Sequence, residues 1–288
     1  MDLSDLRIFK TVAEEGGIVR AAHKLHRVPS NISTRVKQLE ASVGAQLFVR
    51  EKQRLFLSPS GEHLLGYADR LLRLSEEALG AVSRAPPRGL LRLGALESTT
   101  ASRLPKVLAA YHQAYPDVRV ELVTGTNDAL TAAVLARGVE AAFVAEVPAG
   151  NEFACVRLFR ERLVIISALE HGPIRRPQDV DGDSVIAFPN GCAYRRVLQH
   201  WLGSDRVGSV RVLELSSYHA IVACVAAGTG IALVPESVLA TVQHADVARH
   251  ALPKVHGQVT TPLIWRSADQ SPALVALRTL ATAMARAA

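Results

Sequence analysis

The sequence predicts an α/β protein in modules: a winged helix-turn-helix head, a long linker helix, and a two-lobed α/β domain. Three observations carry that expectation. Residues 1–58 hold three short apolar stripes at helical spacing, followed by two short β-prone runs. Residues 59–84 hold one long stripe at the same spacing. From Leu90 onward, short apolar runs alternate with helical stretches, as in parallel sheets covered by helices.

Bulk properties fit. At 288 residues the chain suits two or three domains. Hydrophobic residues make up 49% and charged residues 21%, so large cores can form and disorder is not expected. The net charge is +6 and the sequence pI about 9.5. That excess is modest, so its placement matters more than its size. Apolar runs stop well short of the ~18 residues a membrane span needs. "MDLSDLRIFK" has neither a basic segment nor an apolar core, so export is not expected and a cytoplasmic location is. Cys155, Cys192 and Cys224 lie far apart, without CxxC or zinc spacing, which suits a reducing compartment.

The head comes first. Leu3, Leu6, Phe9, Val12 and Ala13 line one face of a helix that Gly16-Gly17 ends. Residues 18–25 form a second helix with Ala21, Ala22 and Leu25 inward, and "HRVP" is a turn. Ile32, Val36, Leu39 and Val43 mark a third helix, closed by Gly44. Two short helices joined by a turn, after a supporting helix, give helix-turn-helix geometry. Cations crowd this segment: Arg20, Lys24, Arg27, Arg35 and Lys37, with His23 and His26 and no carboxylate between Glu15 and Glu40. The third helix turns Ser30, Asn31, Ser33, Thr34, Arg35, Lys37 and Gln38 outward, a set suited to base edges and phosphates in a DNA major groove. Strands over 46–50 and 55–57 then make a basic wing, with Arg50 and Arg54 placed to touch the DNA backbone.

Ser58 caps a long helix and Pro59 takes its first position. Its predicted pairing seam is Leu64, Ala68, Leu71, Ser75, Ala78 and Val82, beside Leu65, Leu72 and Leu79. A stripe this broad exceeds what the helix could bury alone, so it is expected to pair with its copy in a second subunit. "APPRG" at 85–89 is a hinge-like break.

In the C-terminal module strands are expected at "LLRLGAL", "VRVELVTG", "EAAFVAEV", "LVIISA", "VIAFPNG", "VRVLELSS", "IALVP" and "PLIWR". Helices are expected over 102–115, 128–137, 194–202, 218–227 and 272–287. Strand ends in such folds gather ligands. Here they carry Ser98, Thr99, Thr100, Thr126, Asn127, Asn190, Ser217 and His219, the candidate residues for a small polar ligand. Hydroxyls and helix starts favour a carboxylate, so a small organic or amino acid is expected. Glu97 or Glu146, if either faces the cleft, would favour an amine-bearing ligand instead.

Head, wing and long helix resemble those of LysR-type transcriptional regulators. The resemblance rests on Phe9, "AAHKL" at 21–25, Ser33, "LEASVGAQLFVR" at 39–50 and "LSPSG" at 57–61. The family often has serine where Gly17 stands, and proline at the position of Ser30 rather than at Pro29. The resemblance implies a DNA-binding domain over 1–58, a linker over 59–88 and an effector domain over 89–288 resembling periplasmic binding proteins. Lobe I is then expected at about 89–163 and 267–288, and lobe II at about 164–266. It further implies double-stranded DNA and a small-molecule effector as partners, a homodimer or homotetramer, and RNA polymerase as a further candidate partner. No cofactor, metal or catalytic residue is expected.

Rival readings stay open. "GTG" at 228–230 follows a helix and precedes a strand, the reverse of a dinucleotide loop. No GxSxG, HExxH or P-loop occurs. His219, Cys192 and Ser217 could be imagined as a catalytic set, and Cys192 as the thiol of a redox-sensing regulator. A cytoplasmic small-molecule-binding or enzymatic α/β protein with an accessory basic head is the other alternative.

Overall fold

A computed structural model describes residues 1–51, 54–82, 86–180, 184–203, 210–242 and 246–287, with residues 51, 54, 73, 77 and 80–82 described by backbone alone. The chain divides into two compact units, Met1–Ala85 and Pro86–Ala288.

The first unit opens with α1 (Leu3–Glu15), held by a reciprocal Asp2/Asp5 capping box. α2 (Ile18–Lys24) and α3 (Pro29–Val43) follow. α3 starts with Pro29 in its first turn and Val28 as N-cap, and Gly44 ends it in the left-handed conformation at φ 68°. β1 (Phe48–Glu51) pairs antiparallel with β2 (Arg54–Leu57). β1 begins two residues later than the sequence suggests because Glu40 takes the Leu47 and Phe48 N–H groups at 2.8 and 3.3 Å. α4 (Pro59–Val82) is capped by Ser58, whose hydroxyl accepts the Gly61 N–H at 3.0 Å and donates to the Gln46 carbonyl at 2.6 Å. Gly61 has to be glycine, since a Cβ there would stand 2.1 Å from the Leu47 carbonyl oxygen.

Two clusters hold the unit together. Ile8, Val12, Ala21, Ala22, Ile32 and Val36 join the three helices. Leu6, Phe9, Leu39 and Leu47 pack with Ala68 and Leu72 of α4, and Leu64 and Leu65 flank them. Each large side chain so buried contributes about 1.5–3 kcal/mol.

This corrects the predicted seam. Leu64 and Ala68 serve the head's own core, because α4 lies on α1 over its first turns. The face left open carries Tyr67 (59% exposed), Leu71 (39%), Leu74 (61%) and Leu79 (65%), with Ala78 exposed between them. Ser75 is half-buried, and the Val82 side chain lies outside the described residues.

Among the described residues the second unit has nine strands: β3 (Gly89–Ala95), β4 (Val118–Thr124), β5 (Ala141–Phe143), β6 (Phe153–Ser167), β7 (Val185–Ala187), β8 (Val212–Glu214), β9 (Ile231–Pro235), β10 (Ala248–Ala251) and β11 (Gln258–Arg266). Their order is β4-β3-β5-β11-β6-β9-β7-β8, with β10 also on β6. β3 runs parallel to β4 and β5, and β7 parallel to β8 and β9. Each lobe thus keeps a parallel kernel.

The expected parallel sheets are therefore mixed. β6 and β11 pair antiparallel along Phe153–Arg162 and cross between the lobes. β6 then continues antiparallel to β9 and β10. The first ten residues of β6 escape a reading by apolar runs because Arg157, Arg160, Glu161 and Arg162 interrupt them, with Cys155 and the three arginines open to water. The end of β11 pairs with β5, so residues 263–265 belong with the first lobe rather than with the expected second.

Helices complete the lobes: α5 (Glu97–Ser102), α6 (Leu104–Ala114), α7 (Asn127–Leu135), α8 (Ala193–Leu202), α9 (Tyr218–Ala226), α10 (Glu236–Leu239), α11 (Lys254–Gly257) and α12 (Pro272–Ala287). The single helix expected over 102–115 starts earlier and breaks at Arg103, where Pro105 cannot supply the N–H that continuity needs. α12 packs back on β3, α6 and β6, as the sequence suggests. One core centres on Leu93, Tyr111, Phe143, Trp265 and Leu277. The other runs from Leu130 and Val134 of α7 through Ile165 and Ile166 to Leu198, Ile221 and Val234.

Candidate functional site

In the head, α3 exposes Ser30, Asn31, Thr34, Lys37 and Gln38 side by side, with Ser33 half-buried. None of these is a carboxylate. Arg27 reaches Asn31 at 3.4 Å. Arg35 differs: its guanidinium turns onto α1, 2.7 Å from Asp5 and 3.2 Å from Asp2. It is a strut between helices, set by a capping box that the basic run did not disclose. On the wing Arg50 is exposed, while the Arg54 side chain lies outside the described residues.

In the second unit, the starts of α5, α7, α8 and α9 converge on a recess of about 300 Å³, counted out to its open mouth. Its wall is Leu96, Gly125, Ala145, Phe188, Cys192, Ala193 and Tyr218. Four more polar side chains line it: Glu97, Ser98, Thr126 and Tyr194. Phe188 and Tyr218 stand with ring centroids 4.7 Å apart, tilted by 47°. Thr126 caps α7, accepting the Ala129 N–H at 3.3 Å. Glu97 Oε1 accepts the Tyr218 N–H at 3.4 Å, while Oε2 is buried without a partner. Burial pushes the Glu97 carboxyl above its ordinary range, against lowering by the Tyr218 N–H. Tyr194 is buried and its phenol is pushed upward by burial. The Ser98 and Thr261 hydroxyls are beside it, but none meets its oxygen in full hydrogen-bonding geometry. Across the mouth, Arg196 of α8 holds Asp128 at 3.2 Å and Glu146 at 2.6 Å.

Family comparison decides the class. Residues 3–62 match the model of the "Bacterial regulatory helix-turn-helix protein, lysR family", and residues 84–286 that of the "LysR substrate binding domain". The chain belongs to the LysR family. It is 33% identical over 282 residues to the HTH-type transcriptional regulator GltR of Bacillus subtilis (strain 168), covering 97% of this chain and 95% of that one. Its fold matches a full-length OxyR variant from Pseudomonas aeruginosa (TM-score 0.74, 20% identity, 98% of this chain and 93% of that one). It also matches full-length CbnR complexed with its target DNA (TM-score 0.68, 24% identity, 99% of this chain and 100% of that one). This LysR-type protein is a DNA-binding transcriptional regulator with an effector-binding domain. Among the described residues, no helix is long and apolar enough to cross a membrane.

Within this LysR-type effector domain, two of the eight residues expected to bind the ligand line the recess, Ser98 and Thr126. The other six are not among its lining residues. Thr99 is buried beside the recess wall without lining it. The Thr100 hydroxyl donates back to the Leu96 carbonyl at 3.1 Å. Asn127 accepts the Ala145 and Glu146 N–H groups at 3.0 Å each, pinning the end of β5. Ser217 is an N-cap outside the lining, and Asn190 and His219 are exposed and also outside it, although His219 lies near enough to Glu97 to lower its carboxyl. Tyr194, Tyr218 and Phe188 are not legible as lining in the sequence, because aromatic residues at a helix start or a strand end read as core. Cys192 is buried, and burial pushes its thiol upward, which disfavours the thiolate that redox sensing requires.

Proposed function

We propose that the head reads its operator through the exposed face of α3, with Asn31, Thr34 and Gln38 at base edges and Lys37 on phosphate. Arg50 of the wing then contacts the neighbouring backbone. The observation that carries this reading is the α3 face itself: five adjacent polar or cationic side chains with no carboxylate among them. CbnR, which shares the fold, is seen with its target DNA. The recess is the effector site. The protein works in the cytoplasm, as a dimer or a dimer of dimers through α4, and carries no catalytic activity of its own. Two heads are needed because one offers too little contact for tight binding.

A ligand at the recess can act on DNA only through its differential affinity for two arrangements of the lobes. Effector binding is therefore expected to change the geometry of the bound DNA. The test is a gel shift on DNA from upstream of the coding region across a salt series. Sequence-dependent, salt-sensitive binding is expected. Equal affinity for that DNA and for random DNA would remove the operator reading.

A further inference from the structure

The recess carries an acceptor with no donor. Glu97 sets one oxygen at the first N–H of α9, where an incoming anion would otherwise be drawn. Its other oxygen is shut away from water with nothing to accept. Tyr194, from the opposite lobe, is 4% exposed, lines the same recess, and presents a hydroxyl in no settled hydrogen bond. Beside the recess, next to its lining residues Thr126 and Ala145, Arg196 stands between two carboxylates, Asp128 and Glu146, and His219 is the titratable base near Glu97. The Phe188 and Tyr218 rings form part of the same lining.

We infer that the recess takes an effector with a protonated amine on a compact apolar body, its N–H groups meeting Glu97 Oε2 and the Tyr194 hydroxyl. The inference rests on the recess being the effector site. An ammonium brings three donors and no acceptor, and it fills both unmet positions with charge-assisted bonds. The aromatic rings attract the same charge. A carboxylate would instead face Glu97 in a site shielded from water, where like charges repel most strongly. The acid first suggested by the hydroxyl-rich strand ends is thus replaced by an amine, because the protein's own carboxylate already occupies the anion position.

The test is calorimetry on the full chain with three probes of matched shape: benzylamine, benzyl alcohol and benzoate. Benzylamine is expected to bind best and benzoate least. Glu97→Gln keeps an acceptor for the Tyr218 N–H. It is expected to weaken benzylamine at least about tenfold and to abolish the preference for amine over alcohol. Circular dichroism confirms that the variant is folded. Ala145→Trp, which fills the recess from a half-exposed position, is expected to block the amine. Three results would overturn the inference: benzoate binding better than benzylamine, no benzylamine binding at millimolar concentration, or an amine preference that survives in Glu97→Gln. Benzoate binding that Ala145→Trp abolishes would leave the recess as the site and remove only the charge assignment. Ligand binding indifferent to Ala145→Trp would remove the recess itself.

Discussion

A carboxylate withdrawn from water without a full set of donors costs the fold free energy in its ionised form. Glu97 is in that position. Burial raises its carboxyl above the ordinary 4.5, the Tyr218 N–H offsetting part of the effect. A raised acid holds its proton more tightly folded than unfolded. The cost is therefore present at neutral pH and is relieved as pH falls through the folded value towards 4.5. Glu97→Gln should raise the melting temperature at pH 7, with the advantage shrinking under mild acid and vanishing below 4.5. Paired thermal melts across pH check this, and a pH-independent difference would mean that charge burial is not the cause. Arg35 poses the converse case. Removing it leaves Asp5, itself buried, without its 2.7 Å partner. Arg35→Ala should destabilise the head by about 1–3 kcal/mol while leaving discrimination between DNA sites intact. Asn31→Ala should relax discrimination by about 1–3 kcal/mol with stability unchanged. Denaturant titration and competitive gel shifts separate the two. Helical spacing places Arg35 outward, whereas the structure half-buries it against α1. Its ion pair was not legible, because its partners lie some thirty residues earlier.

Elements were legible wherever a single periodicity ran without interruption. The helices α1 and α3, the Gly44 stop, the Ser58-Pro59 start and α12 all appear where spacing and caps place them, although Leu3 and Val43, at the ends of their stripes, are exposed rather than packed. The crossing strands were harder, since four charged residues break up the first part of β6 and β11 pairs on both edges. The stripe on α4 shows a different limit. A stripe reads as one seam in sequence, but here it serves two surfaces. Leu64, Ala68 and Leu72 close the head's core, whereas Tyr67, Leu71, Leu74 and Ala78 recur at i, i+4, i+7 and i+11 on an exposed face. That spacing suits a helix–helix seam with a second copy. Leu71→Asp with Leu74→Asp should yield folded monomers, by light scattering and circular dichroism together. Ala68→Asp should instead unfold the head, because it buries a charge among Phe9 and Leu39. A parent mass for the double variant would move the subunit contact off this face.

Among the connections between the lobes of the effector-binding unit, three differ in strength. β6 and β11 are covalent straps. Near them Glu161, buried on β6, takes Arg103 Nε at 2.6 Å and the Ser237 hydroxyl at 2.7 Å, and Ser237 also meets Ser102 at 3.2 Å. The third connection is Arg196 at the recess mouth, with 40% of its side chain exposed. A buried node whose partners come from both lobes resists opening, because removing one member strands the others away from water. An exposed pair exchanges readily with solvent and contributes little. Opening of the lobes is therefore expected to leave the Glu161 node intact and to release Arg196. Glu161→Ala should cost about 3 kcal/mol in global stability. Arg196→Ala should change it by no more than about 1 kcal/mol. Yet Arg196→Ala should speed amide exchange at the starts of α7 and α8, where the mouth would stand open more of the time. It should also shift apparent effector affinity by the change in the closed fraction. Denaturant melts and hydrogen exchange on the two variants decide between them. Equal stability losses, or exchange at α7 and α8 that is unchanged in Arg196→Ala, would mean that no latch separates from the Glu161 node and that the lobes move as one body.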